Sequence, residues 1–333
     1  MNYFLLIAGI LVIIMISLDI LTTTLRLEGG GFVSNGISKF IWKIFFFAGS
    51  GNGRSQLLQY AGVTILVMLF IIWSFFLWMG YSLIFLSSYG SVVDTSTELP
   101  ENWIGTIYYV GYTVSSLGIG DVKTGSDTWR IVSNIMSING LFFLSLAISY
   151  YIPVLGAVIK QRTLASQVWQ MGTNPSEILR NGWNGENFGI LYQQFQNMES
   201  LILQHVQNHL AYPIIGYFHS TLPKYSSRRN LVVLDEAITI ARVLELEKPD
   251  KVVYWDSIRK SLDSYVAESR SLFNPGTPEA PDFDYHNHLE LKGLNVPSPD
   301  RQELAQLDER RSVLKEIARN DGWSWDDIIH GPD

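Results

Sequence analysis

The chain contains no cysteine, which excludes disulfides, thiolate nucleophiles and cysteine-ligated zinc or iron–sulfur centres. Charge is scarce as well. Asp, Glu, Lys and Arg make up 17% of the residues, against roughly 25% in ordinary soluble domains. What charge there is avoids two long stretches: none occurs from Gln56 to Val93, 38 positions, or from Ile131 to Ile159, 29 positions. A helix needs roughly 20 apolar residues to cross the hydrocarbon core of a bilayer. Both stretches are long enough, and a soluble globular protein is excluded. A basic surplus is missing too. Residues 160–333 hold 18 basic and 24 acidic groups, a balance that argues against nucleic acid as a partner.

A third apolar run covers residues 3–18 and closes at Asp19. It has no basic n-region and no small-residue cleavage site, so it reads as a first membrane helix rather than a signal peptide, with Asp19 at the interface. Gly36–Phe47 mixes lysines with large apolar residues, the pattern of an amphipathic helix at a membrane surface. Arg26, Lys39, Lys43 and Arg54 crowd the stretch 22–56, and Lys160 and Arg162 follow the last long run. The connection 88–129 instead carries Asp94, Glu98, Glu101, Asp121 and Asp127 against Lys123. Positive charge marks the cytoplasmic side, so 22–56 and everything past 160 are expected inside, with the N-terminus and 88–129 outside. A multi-pass protein of the plasma (inner) membrane follows. Within 88–129, Trp103–Val114 is apolar but too short to cross, which predicts a re-entrant helix.

That segment ends in Thr113-Val114-Ser115-Ser116-Leu117-Gly118-Ile119-Gly120-Asp121. Glycines at alternate positions permit backbone conformations that other residues resist, and such a strand can aim successive carbonyls at one axis. Carbonyls from several chains then replace the hydration shell of a cation, and the negative C-terminal end of the preceding helix adds to the attraction.

On these residues the chain resembles the tetrameric pore-loop potassium channels, in which a short pore helix leads into a T-V-G-Y-G-D-like filter. The resemblance covers about 57–160. It implies a filter of Ser116, Leu117, Gly118, Ile119 and Gly120, supported by Thr113, Ser115, Tyr108, Tyr109, Tyr112 and Asp121. It also implies a homotetramer in the lipid bilayer conducting a monovalent cation, K+ by family habit, with no cofactor and no enzymatic step. Ser116 stands where a threonine usually supplies the innermost hydroxyl, and Leu117 replaces a valine. Ile119 replaces the usual aromatic and cannot hydrogen-bond into the pore helix, leaving packing against Tyr109 and Tyr112 as the other way to brace the filter. Tyr108 and Tyr109 stand where relatives often carry a tryptophan pair. Tyr108 keeps a bond to Asp121 within reach, and Tyr109 loses it. Selectivity for potassium over sodium is expected to be weaker for these reasons.

Gly140 lies near the family's flexible glycine and reads equally as a hinge or as a point of close helix packing. Pro153 removes a backbone bond and is expected to kink the inner helix at the gate. Ser137, Leu141, Leu144 and Ile148 share one helical face, expected to line the cavity.

Residues 163–333 read as helical, with amphipathic spans at Asn187–His209, Leu231–Leu246, Val252–Phe273 and Arg301–Arg319. No G-x-G-x-x-G sits between a strand and a helix, so a nucleotide-binding module is not indicated, and the cytoplasmic gating ligand or partner is unidentified. His205 and His209 have the i, i+4 spacing of zinc ligands, but Val206 stands where H-E-x-x-H enzymes place their base. His286 and His288 lie in an acidic stretch as weak metal candidates. The expected organisation is all-α: an N-terminal membrane helix and interfacial segment (1–56), a pore domain (57–162) and a cytoplasmic helical domain (163–333). A membrane-anchored sensor or enzyme with its activity in 163–333 is the rival reading, and a non-selective cation channel the nearer alternative.

Overall fold

The computed structural model describes residues 1–27, 29–244, 246, 252–272, 279–282 and 301–331. The chain divides into two compact units. One comprises Met1–Ile41 and Val63–Leu155, the other Trp42–Gly62 and Gly156–Asp333. The division between them passes between Ile41 and Trp42.

In the first unit, α1 (Tyr3–Leu25) is capped by Asn2, whose side chain accepts from the amides of Phe4 and Leu5. It packs against α3 (Ala61–Leu86) with little space between backbones: a β-carbon on Gly9 would lie 2.6 Å from the Gly80 carbonyl oxygen. Small residues serve this purpose where lipid supplies no hydrophobic drive between helices. α2 (Phe32–Ala48) enters at a corner built on Asp19. The sequence placed Asp19 at an interface, whereas the structure buries it to 4% exposure. Its carboxyl oxygens accept from Val33 N at 2.8 Å, Ser34 N at 3.3 Å, Ser34 Oγ at 2.5 Å and Trp73 Nε1 at 3.1 Å. Two of these donors are amides in the first turn of α2, which no carbonyl within that helix can satisfy. Asp19 thus caps a helix 13 residues downstream of it while holding α3 through Trp73. The run length of α1 was legible, but this destination was not.

Two short strands, β1 (Val92–Asp94) and β2 (Val122–Thr124), pair antiparallel with Val93 opposite Lys123. They draw together the two ends of the segment that holds α4 (Trp103–Val114). Beyond them, α5 (Asp127–Met171) runs for 45 residues through both units, with Pro153 inside it. Proline removes one backbone bond there, but the helix continues past it, well beyond the boundary that apolarity alone set near Ile159.

The second unit is helical: α6 (Pro175–Gly182), α7 (Gly189–Ala211), α8 (Ser227–Val243), α9 (Val252–Leu272), α10 (Arg301–Asn320) and α11 (Trp325–Ile329). α8 is buried over most of its length, and both of its carboxylates are matched by arginines. Asp235 meets Arg259 at 2.8 Å and also pairs with Arg310, while Glu236 meets Arg311 at 2.9 Å. Burial works against the charge on Asp235, and the two arginines outweigh it, holding the carboxyl below the usual carboxylate range. Arg229 donates to the carbonyls of Thr173 and Asp327.

The stretch between α2 and α3 docks on this unit through His219. One ring nitrogen of His219 contacts the Gly53 carbonyl at 2.6 Å, and the other contacts Asp321 Oδ1 at 3.1 Å. Burial opposes the charged ring, but the Asp321 carboxylate and the two hydrogen bonds prevail and raise its pKa above the ordinary value. Arg54 adds a pair with Asp327 at 3.0 Å.

Two outcomes are expected. Asp19→Ala should strand two helix amides and leave the Trp73 indole N–H with Ser34 Oγ, 3.2 Å away, as its acceptor, costing about 2 kcal/mol; thermal unfolding in detergent within a degree of wild type would contradict that role. A group whose folded pKa is raised contributes stability that is full below its unfolded value, about 6.5, and lost as pH climbs through the folded value. The Tm difference between wild type and His219→Gln should therefore be largest in mild acid and shrink on going to alkaline pH. A difference that grows with pH would reverse the assignment.

Candidate functional site

α4 begins at Asn102, whose side chain accepts from Ile104 N and Gly105 N, so the predicted bounds and the observed ones agree. Its face toward the protein is aromatic. Tyr109 and Tyr112 pack with Phe85, Val92, Val110, Val122 and Met136, and the Trp78 indole donates to the Ile107 carbonyl at 3.1 Å. The helix closes on Ser116, which has φ +62°. Ser116 N donates to Thr113 O, and Leu117 N to Tyr112 O, the reciprocal pair that ends a helix with one left-handed residue. Serine in place of glycine at that position carries strain of about 1–2 kcal/mol. Thr113 and Ser115 do not project hydroxyls outward. Each donates to a carbonyl of its own helix, Tyr109 O at 2.7 Å and Tyr112 O at 3.1 Å.

The left-handed conformation then recurs at every second residue. Gly118 has φ +59° and Gly120 φ +85°, while Leu117 and Ile119 keep negative φ. In an ordinary strand successive peptides alternate in direction. Alternating the hand of the residues is the backbone pattern that can bring neighbouring carbonyls to one side of the chain. Among the described residues, none donates to the carbonyls of Ser116, Leu117, Gly118 or Ile119. The next carbonyl, of Gly120, accepts from Thr95 Oγ1 at 2.9 Å, and that of Asp121 from Thr95 N at 3.0 Å. The loop is thus fixed at both ends and open between them. Leu117 is 71% exposed and Ile119 55% within one chain.

The tyrosines have other partners. Tyr112 OH donates to Val122 O at 2.6 Å, tying α4 to β2, and Tyr109 OH pairs with Ser133 Oγ at 2.5 Å. Tyr108 stands edge-on to Tyr112, and its hydroxyl feels Asp121. Asp121 also turns its own side chain back to the Val122 amide. Thr95, Trp78 and Ser133 went unrecognised in the sequence. Thr95 lies in a run of small polar residues, and nothing in its spacing connects it to Gly120.

Gly140 sits where α5 crosses the end of α4. A β-carbon there would lie 2.0 Å from the Val114 carbonyl oxygen, and Ser137 Oγ approaches Thr113 O at 3.4 Å. The geometry is that of close packing, and α5 is helical on both sides of it. Leu141, Leu144 and Ile148 are exposed in the single chain.

In the second unit His205 and His209 are both buried on α7, with ring centroids 6.0 Å apart. His286 and His288 lie outside the described residues. Among the described residues, no group of three or more His, Asp or Glu side chains is arranged to hold a metal ion.

Three helices are long and apolar enough to cross a membrane: Tyr3–Leu25, Leu58–Leu86 and Asp127–Met171. The chain is similar to the uncharacterized membrane protein YdjJ of Bacillus subtilis (strain 168), with 29% identity over 330 residues, 98% of this chain and 96% of that protein. No family model and no solved structure matches it. On the helices and this likeness together, the chain is an all-α membrane protein.

Proposed function

We propose that the chain is one quarter of a passive cation channel, permeable to potassium, that conducts through the backbone of Ser116–Gly120. The observation that carries this reading is the alternation of hand at Ser116, Gly118 and Gly120, together with carbonyls left unpaired between two anchored ends. On this reading α3 is the outer helix, α4 a re-entrant pore helix and α5 the inner helix. The second unit, with the basic stretch 22–56, lies in the cytoplasm of a plasma-membrane protein. Four chains around an axis would give rings of carbonyls that replace an ion's hydration shell, and a single strand cannot do so alone. The exposed Leu117 and Ile119 side chains would then be covered by neighbouring chains, as would the apolar face of α5 around Leu141, Leu144 and Ile148. That face, if it lines the conduction path, closes by dewetting. The rival reading as a membrane-anchored enzyme has less support: nothing about an anchor calls for a strained, alternating backbone in this loop.

Selectivity is the one property where a second reading has its own observation. Ile119 offers no hydrogen bond, and the phenols behind it are already committed to Val122 and Ser133. The loop is braced at Gly120 and Asp121 through Thr95 and at Ser116 through the helix end, with nothing between. A softer ring adapts to a smaller ion, so sodium is expected to pass as well.

Two experiments on reconstituted protein test this. Potassium flux into liposomes should be lost in Gly118→Ala and in Gly120→Ala, with insertion and assembly retained. No atom lies within 4 Å of a β-carbon at either site, so the loss would come from backbone strain of about 1–2 kcal/mol per residue and not from a clash. Wild-type flux surviving either change would defeat the filter assignment. Reversal potentials in mixed potassium and sodium should show appreciable sodium permeability, reduced in Ile119→Tyr. Strong exclusion of sodium by the wild type, unaltered in the variant, would refute the bracing argument while leaving conduction intact.

A further inference from the structure

A surface helix of a soluble protein turns its apolar stripe inward and its polar face to water. α2 does the reverse. Its buried residues are Ser34, Ser38 and Ile41, and the two serine hydroxyls are spent on Asp19 and on the helix backbone. Its outward residues include Phe32, Phe40, Ile44 and Phe47, with Phe32 94% exposed and Phe47 88%. Phe32, Gly36, Lys39, Lys43 and Phe47 are all exposed and follow one another at spacings of 4, 3, 4 and 4. They therefore form one row along the helix, with Phe40 and Ile44 beside it.

The lysines select what covers that row. Among the described residues no carboxylate pairs with Lys39 or Lys43, and Arg26, exposed just before α2, adds a third cation. Only residues 26–31 join α1 to α2, so α2 begins at the bilayer surface where α1 ends. The acidic connection 88–129 follows the far end of α3, whose 26 residues extend about 39 Å. A second copy of the first unit thus offers no carboxylate at this level, and pairing α2 with itself would set lysine against lysine. A phospholipid offers both things the row calls for: acyl chains for the phenylalanines and a phosphate for the ammonium groups. On the proposed orientation this is the cytoplasmic leaflet, which carries negative charge.

We propose that the outward face of α2 is a binding site for anionic phospholipid. Lys39 and Lys43 hold the headgroup phosphate, and Phe40, Ile44 and Phe47 sit among the upper acyl carbons. Long lysine stems suit this arrangement, since they lie along apolar surface and keep the charge at the headgroup level. The lipid also has a route to the membrane helices. Ser34, on the inward face of α2, bonds the Asp19 carboxyl that in turn accepts from Trp73 of α3. The site does not require the chain to conduct, so it stands or falls apart from the channel reading.

The test uses the full-length chain with one nitroxide label. The chain has no cysteine, so Gly36→Cys gives a single attachment point, in the middle of the row and with no atom within 4 Å of its β-carbon. In bilayer nanodiscs of phosphatidylcholine and phosphatidylglycerol the label should be reached by oxygen more readily than by a water-soluble nickel chelate. In detergent, added phosphatidylglycerol should slow the label saturably, whereas phosphatidylcholine and inorganic phosphate should not. Adding Lys39→Gln and Lys43→Gln should raise the half-saturating concentration about 30-fold at low salt, and adding Lys39→Arg and Lys43→Arg instead should leave it unchanged. The accessibility measurement keeps both lysines, so it decides the matter even if the glutamine variant fails to fold. A label reached chiefly by the chelate faces water, and one shielded from both reagents is covered by protein such as a second copy; either result would overturn the proposal. So would an equal response to the two lipids, a response to inorganic phosphate alone, or a wild-type response in the glutamine variant.

Discussion

A backbone carbonyl has to bond to something, and the carbonyls of residues 116–119 have no donor within the described chain. That is the constraint on which the rest of the first unit depends. An apolar environment makes an unpaired carbonyl costly, so the loop makes sense only where water or a cation meets it. Its neighbourhood is organised to hold it in that condition. The end of α4 fixes Ser116, Thr95 fixes Gly120 and Asp121, β1 and β2 bring the two ends of the segment together, and Tyr112 ties α4 to β2. Gly140 lets α5 come against the last turn of α4 without a side chain between them.

Much of this was legible in the sequence, for a physical reason. Long apolar runs and a hydroxyl-rich stretch before two alternate glycines are local signals, and local signals fix the bounds of α4 and the positions of α1, α3 and α5. Contacts between distant residues leave no such mark. Asp19 looked like the polar end of a membrane helix because nothing nearby in sequence explains a carboxyl there. Its partners are Ser34 and Trp73, which no periodicity connects to it. β1 and β2 are three residues each, too short for alternation to register. The far end of α5 was set too early because its last turns are polar, and a span defined by apolarity stops where charge begins. Thr95 illustrates the same limit within the site itself.

The second unit follows a different rule. Its central helix, α8, is buried over most of its length yet carries Arg229, Asp235 and Glu236. Ionised groups tolerate such burial only when matched, and arginines from α9 and α10 supply the match for the two carboxylates. Amphipathic patterning located the surrounding helices but had no means of assigning these pairs.

The central claim is that four copies of this loop surround an axis and hold dehydrated cations. Anomalous scattering from thallium, a potassium-sized ion, tests it most directly in a structure of the assembled protein. The account predicts a fourfold arrangement with a row of thallium peaks on the axis, level with the carbonyls of Ser116–Gly120. A monomer or dimer, or a tetramer whose loops turn those carbonyls away from a thallium-free axis, would contradict it.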